Sequence, residues 1–186
     1  MVTTTGDTAA TVKVWDIVVR ASHWLLVACV ALAWFTTEGF GIWHEYAGFA
    51  ALTVAIIRIC WGFSGPGYAR FGQFVRSVPH TLDYARSVIK GVQKRYLGHN
   101  PLAGWMAVAL LAMVVLVCAT GWLYTTDAFW GVEWVEELHE TCAWGMLGLV
   151  FIHVLGAAAT SRHHRENLVT AMIHGRKRPA GDEDIA

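Results

Sequence analysis

His139 and His153 stand fourteen residues apart in one apolar stretch, 136–160. In an α-helix that spacing falls about 40° short of four full turns, so both imidazoles share a face, about 21 Å apart along the axis. Ionisable side chains inside a membrane span are costly and by default mark function. Imidazoles at two depths suit two flat redox cofactors, provided other helices bring a second ligand to each. Bis-histidine ligation holds haem iron with no open coordination position, which favours electron transfer over oxygen chemistry. His44 and His23 are the candidates for the second ligands.

The elements that would position these side chains are membrane helices. At 186 residues and 55% hydrophobic side chains, with a mean hydropathy of +0.43, the chain is one compact domain of the membrane class. Four stretches are long enough to cross a bilayer, about 14–37, 41–63, 101–124 and 136–160. The first of them mimics a secretory signal, with Lys13 and Arg20 before an apolar run and Ala31-Leu32-Ala33 as a cleavage site. The run continues through Trp34 and Phe35, and cleavage would discard His23, so the span is expected to be retained. Residues 1–12 read as a disordered tail, 13–178 as the transmembrane domain and 179–186 as an acidic C-terminal tail. In the long loop 64–99, Leu82, Ala85, Ile89, Val92 and Tyr96 recur at helical steps, with Arg86, Lys90 and Lys94 on the other side. That pattern predicts an amphipathic helix in the membrane interface between the second and third spans. Asn100-Pro101 suits the cap and first position of the third span.

Charge fixes the expected orientation. Arg70, Arg76, Arg86, Lys90, Lys94 and Arg95 lie in the long loop, Arg162, Arg165, Arg176, Lys177 and Arg178 follow the fourth span, and Lys13 and Arg20 open the first. The two connections on the opposite side carry no lysine or arginine, so both termini and the long loop belong in the cytoplasm. The outer side is acidic, with Glu38, Glu45, Asp127, Glu133, Glu136, Glu137 and Glu140. In this topology His44 and His139 share the outer level, while His23 and His153 share the inner one. A four-helix bundle with ligands on facing helices is the natural container.

Neighbouring residues fit the same scheme. Gly48 and Gly156 lie about a turn beyond His44 and His153, where a missing Cβ lets a flat macrocycle approach the backbone. Arg58 shares the His44 face at the inner level and Arg20 precedes His23 by one turn, so either is placed to meet propionates; the alternative for Arg58 is snorkelling to headgroups. Trp24 is a candidate to pack on the porphyrin, with core packing as its alternative. Trp15, Trp43, Trp61, Trp105, Trp122 and Trp134 sit at helix ends, as an interfacial belt would. His80, His99, His163, His164 and His174 read as solvated surface residues. Cys29, Cys60, Cys118 and Cys142 fall in four different spans without a C-x-x-C pair, which excludes covalent haem attachment through C-x-x-C-H and a zinc site.

Trp15-Asp16 followed by Ser22-His23-Trp24, then His44-Glu45-Tyr46-Ala47-Gly48 with Arg58 and Trp61, His99-Asn100-Pro101-Leu102-Ala103-Gly104-Trp105, Leu138-His139-Glu140 and the closing run from Ser161 to Leu168 together resemble the bacterial cytochrome b561 family, which includes the b-type subunit of nickel–iron hydrogenases. The resemblance runs from Val14 to Arg178. It implies a four-helix protein of the bacterial inner membrane with two non-covalent haems b, ligated by His23 with His153 and by His44 with His139. It also implies a link between the quinone pool, ubiquinone or menaquinone, and another redox partner. The short connection between the first two ligands is similar to the hydrogenase-type branch.

Three functions compete. In the first, the protein relays single electrons between quinone and a periplasmic c-type cytochrome or a hydrogenase- or dehydrogenase-like subunit; the acidic face would attract a basic partner. In the second it is a stand-alone superoxide:quinone oxidoreductase, which seven outer carboxylates disfavour by repelling an anionic substrate. The third, a haem-free metal or proton pathway, requires a polar lining that the third span lacks. The other contacts expected are with membrane lipid and, as an open arrangement, a second copy of the chain; nucleic acid is not among them.

Overall fold

The computed structural model describes residues 11–37 and 41–185. Four long helices form the body: α1 (Ile17–Phe35), α2 (Gly41–Ser64), α5 (Pro101–Tyr124) and α6 (Glu133–His163). All four are long and apolar enough to cross a membrane. Between α2 and α5 lie a 3-10 turn at Gly67–Ala69, the short α3 (Phe71–Phe74) and α4 (Val78–Ile89). After α6 come α7 (Leu168–His174) and a two-residue strand β2 (Arg176–Lys177), which pairs antiparallel with β1 (Val12–Lys13).

Local chemistry sets the helix ends. Asp16 caps α1, one carboxylate oxygen accepting from Val19 N at 2.9 Å. Its other oxygen accepts from Trp61 Nε1 at 3.1 Å, so one side chain ties the start of α1 to the end of α2. Asn100 caps α5 through Ala103 N at 2.8 Å, with Pro101 in the first turn, where its missing N–H costs nothing. The amphipathic pattern in the long loop predicts helix as far as Tyr96, but α4 ends at Ile89 because Gly91 takes a left-handed φ of +70°. Of that pattern's apolar residues, Leu82, Ile89 and Val92 are exposed, as is Val78 one turn before Leu82, while Tyr84, outside the pattern, turns inward.

Two antiparallel hairpins, α1 with α2 and α5 with α6, meet along α2 and α5. Ala51 and Ala55 let the helices approach, and Leu111, Val114 and Met146 fill the seam. Helix α6 packs closely along α5, whereas α1 and α2 meet its backbone at few points. Side chains bridge the α1–α6 gap instead, Trp34 meeting Trp144 edge to face at 5.0 Å.

The end carrying both chain termini is closed by a polar cap. Gly175, at φ +77°, accepts at its carbonyl from Val14 N (2.9 Å) and Trp15 N (3.1 Å). A Cβ there would stand 2.5 Å from the Trp15 carbonyl oxygen, so no larger residue fits. Arg95 is buried and grips Glu166 with two nitrogens, Nη2 at 2.6 Å and Nε at 3.2 Å, and also pairs with Asp184. Ile185 N donates to the Arg95 carbonyl at 2.9 Å. The segment expected as an acidic tail is thus docked through residue 185, and Val12, expected in the N-terminal tail, belongs to β1. Partners more than seventy residues away account for both: Arg95 takes the charge of Asp184, and the backbone of β2 pairs with that of Val12.

Candidate functional site

The structure brings the four span histidines together as two pairs. His23 of α1 faces His153 of α6 with ring centroids 6.2 Å apart, and His44 of α2 faces His139 of α6 at 6.0 Å. An imidazole nitrogen lies about 2 Å from a metal it ligates, so two imidazoles on opposite sides of one metal hold their ring centres about 6 Å apart. Both pairs therefore have the spacing that bis-histidine ligation of a haem iron needs. His23 and His153 form the near pair, at the terminus-bearing end; His44 and His139 form the far pair.

Neighbouring backbone aims the far pair. His44 Nδ1 lies 2.9 Å from the Ala33 carbonyl of α1, and His139 Nδ1 lies 3.0 Å from the Val117 carbonyl of α5. With Nδ1 donating to a carbonyl, the lone pair sits on Nε2, the nitrogen free to bind metal. Thr120 Oγ1 approaches the same His139 nitrogen at 3.2 Å. Gly121 is a further contributor: a Cβ there would stand 2.9 Å from the His139 ring. A cavity lined by Cys29, Gly48, Leu52 and Val114 opens between His44 and His139. Its walls are almost wholly apolar, as a porphyrin face requires, and a Cβ on Gly48 would meet nothing within 4 Å. The same holds at Gly156, one turn from His153.

The near pair has a different setting. Trp24 stands edge-on to His23 at 5.2 Å and is 40% exposed. It lines a shallow surface groove with Ile17, Arg20, Ala21 and Ile173. Arg20 donates to the Ile173 carbonyl, and its Nε is sealed from solvent without a partner. Arg58 is buried. Its guanidinium lies 5.6 Å from the Phe71 ring centre, Nη2 reaches the Ala69 carbonyl at 3.4 Å, and Nη1 has no partner.

His99 corrects a sequence expectation. Read as a solvated loop residue, it is wedged between Trp15 at 4.6 Å and Phe74 at 4.5 Å. Burial, and then the positive charges of Arg58 and Lys177, push its pKa down to about 3. The one sequence signal for this was its place beside the Asn100 cap, at the level where helix ends converge. Trp15 leaves the expected interfacial belt for the same reason and is buried. Trp43, Trp105, Trp122 and Trp134 are exposed at helix ends, as a belt requires. Glu45, Asp127, Glu133, Glu136, Glu137 and Glu140 are exposed at the far end of the bundle, while Glu38 lies outside the described residues.

Comparison with known proteins places this geometry. Residues 14–175 match the family model of prokaryotic cytochrome b561. A probable Ni/Fe-hydrogenase B-type cytochrome subunit of Rhizobium leguminosarum bv. viciae is 23% identical, the match covering 72% of this chain and 66% of that protein. Its counterpart in Bradyrhizobium diazoefficiens is 22% identical, covering 72% of this chain and 64% of that protein. The chain thus spans slightly less than two thirds of the length of these relatives. Four membrane-length helices, facing histidine pairs and the family match agree: the chain belongs to the prokaryotic cytochrome b561 family, membrane proteins whose redox cofactor is haem b.

Proposed function

We propose that the protein is a di-haem cytochrome of the bacterial inner membrane that relays single electrons between the quinone pool and a redox protein docked at its acidic end. The observation that carries this reading is the pair of imidazole clasps, 6.2 and 6.0 Å between ring centres, on one face of α6. Haem b, when bound, supplies a one-electron iron couple. His23 with His153 and His44 with His139 would hold it, and the Ala33 and Val117 carbonyls keep the far rings in register. Gly48 and Gly156 leave room for the macrocycle. Arg20 and Arg58 carry unpartnered guanidinium nitrogens at the near end, suited to propionates.

Lysine and arginine distribution supports an orientation with both termini in the cytoplasm. In that orientation the exposed Val78, Leu82 and Ile89 of α4 rest in the interface and the carboxylate cluster faces the periplasm. The relatives' names make a hydrogenase-like subunit one candidate partner; a basic c-type cytochrome is the other. The carboxylates disfavour superoxide as a substrate.

Haem quantitation of the purified protein tests the reading. Two non-covalent haems per chain are expected, and a colourless preparation from haem-replete cells would overturn it. Reduction of a basic c-type cytochrome should slow as salt rises; an unchanged rate would remove the acidic-face docking.

A further inference from the structure

Five side-chain polar atoms are sealed from solvent without a hydrogen-bond partner among the described residues: Arg20 Nε, Arg58 Nη1, Gln73 Oε1, Gln93 Oε1 and His99 Nδ1. Buried polar groups are almost always paired, so each orphan asks for an explanation. Two of them converge beside the near histidine pair. Phe71 lies against Arg58, Phe74 meets Phe71 edge-on at 5.6 Å and His99 meets Phe74 at a tilt at 4.5 Å, so one run of aromatic contacts links Arg58 to His99. Arg58 is the largest single charge acting on His99, and the rings of His153 and His23 are close enough to act on it too.

His99 is wedged between Trp15 and Phe74 with its Nδ1 sealed from solvent, and Arg58, His153 and His23 all lie close enough to act on its charge.

We propose that Arg58 and His99 together clamp a carboxylate of the porphyrin held by His23 and His153, Arg58 through Nη1 and His99 through its Nδ1–H. This rests on the di-haem reading above and adds His99, a residue outside the four spans, to the site. The chemistry is complementary. A buried guanidinium without a counter-ion is expensive, and a propionate supplies one. A neutral imidazole adds a donor without a second buried positive charge. Hydrogen bonds to charged groups are the strong kind, so the clamp favours this end of the macrocycle turning toward the cap.

Haem with both propionates esterified separates the clamp from mere packing. The full-length protein, stripped of haem in detergent, is titrated with natural haem and with its dimethyl ester, alongside Arg58→Leu, His99→Phe and the conservative His99→Gln. At the site that remains in His139→Ala, the ester should bind the parent protein about 10- to 100-fold more weakly than haem, the loss of hydrogen bonds to a charged group. That preference should shrink in Arg58→Leu and His99→Phe and return in His99→Gln, which keeps a donor. Equal binding of ester and haem by the parent, or a preference untouched by both variants, would overturn the clamp. Absence of a second haem site would instead overturn the di-haem reading, so the two failures are distinct.

Discussion

The two histidine pairs have nearly the same ring separation but are held by opposite means. Far-pair imidazoles are fixed by backbone: each Nδ1 meets a carbonyl of a neighbouring helix, and Gly121 leaves just enough room behind His139. No ring nitrogen of the near pair has a hydrogen bond among the described residues. Near that pair stand instead Arg20, one turn before His23, and His99, on which both rings and Arg58 act, beneath a cap braced by Arg95 and Lys177. One site is set by helix packing and the other by charge. The electronic consequence has one sign from both ends. A carbonyl on Nδ1 makes an imidazole a stronger donor and favours ferric iron, whereas nearby cations favour the ferrous state. The near couple should therefore lie at the higher potential.

The most drastic way to break the comparison is to remove one ligand of each pair. His153→Ala and His139→Ala should each lower haem content from two per chain to one. The component missing in His153→Ala should be the one that is reduced first in a redox titration of the parent protein. The reverse order would refute the charge argument. Next in size is the cap. Arg95→Met leaves Asp184 without its cation and Glu166 with only the more distant Lys177 at 4.0 Å, and breaking a buried pair costs about 3–5 kcal/mol. Hydrogen exchange should then rise over 164–185 and around the near pair while the far pair keeps its protection. Uniform loosening would mean the two ends are not separable.

A subtler cut acts on the far pair alone. Gly121→Val drives a side chain into the His139 ring; overpacking of this kind costs about 1–3 kcal/mol, or about tenfold in haem affinity at that site. The near haem should be unaffected. The smallest effect is a pH response. Burial, outweighing the attraction of Glu166, lowers the Lys177 pKa to about 8 from its ordinary 10.5. Between those values the unfolded segment binds more protons than the folded one, so cap stability should rise with pH from about 8 to about 10.5. Exchange protection corrected for intrinsic rates measures this, and Lys177→Met should abolish it. Glu166 does not titrate in that window. Burial acts to raise its pKa, but the Arg95 hydrogen bonds and the charge of Lys177 outweigh that and hold it below the ordinary carboxylate value.

What the sequence disclosed follows the same division. The four spans and both histidine pairings were legible, because helix periodicity and alternating chain direction place residues along and around an axis. The near end was not. His99 looked like loop, and nothing within a few residues of it signals Trp15, 84 positions earlier, lying against its ring. Nothing near Arg95 in sequence points to Glu166 or Asp184, because the contacts joining them are 71 and 89 residues apart. Periodicity reports on a helix and its face; it carries no information about which distant loop settles over the end.

Because α6 lends a nitrogen to both clasps, the fourteen-residue interval between them behaves as a phase. Insert one residue anywhere between His139 and His153 and the two halves slip by about 100°, turning one imidazole out of the interior whichever half stays put. Seven inserted residues would restore the angle to within about 20° but would lengthen the interval by about 10 Å, beyond the reach of α1 or α2. This interval should therefore be the least forgiving of length change in the chain, with no compensating shift available elsewhere.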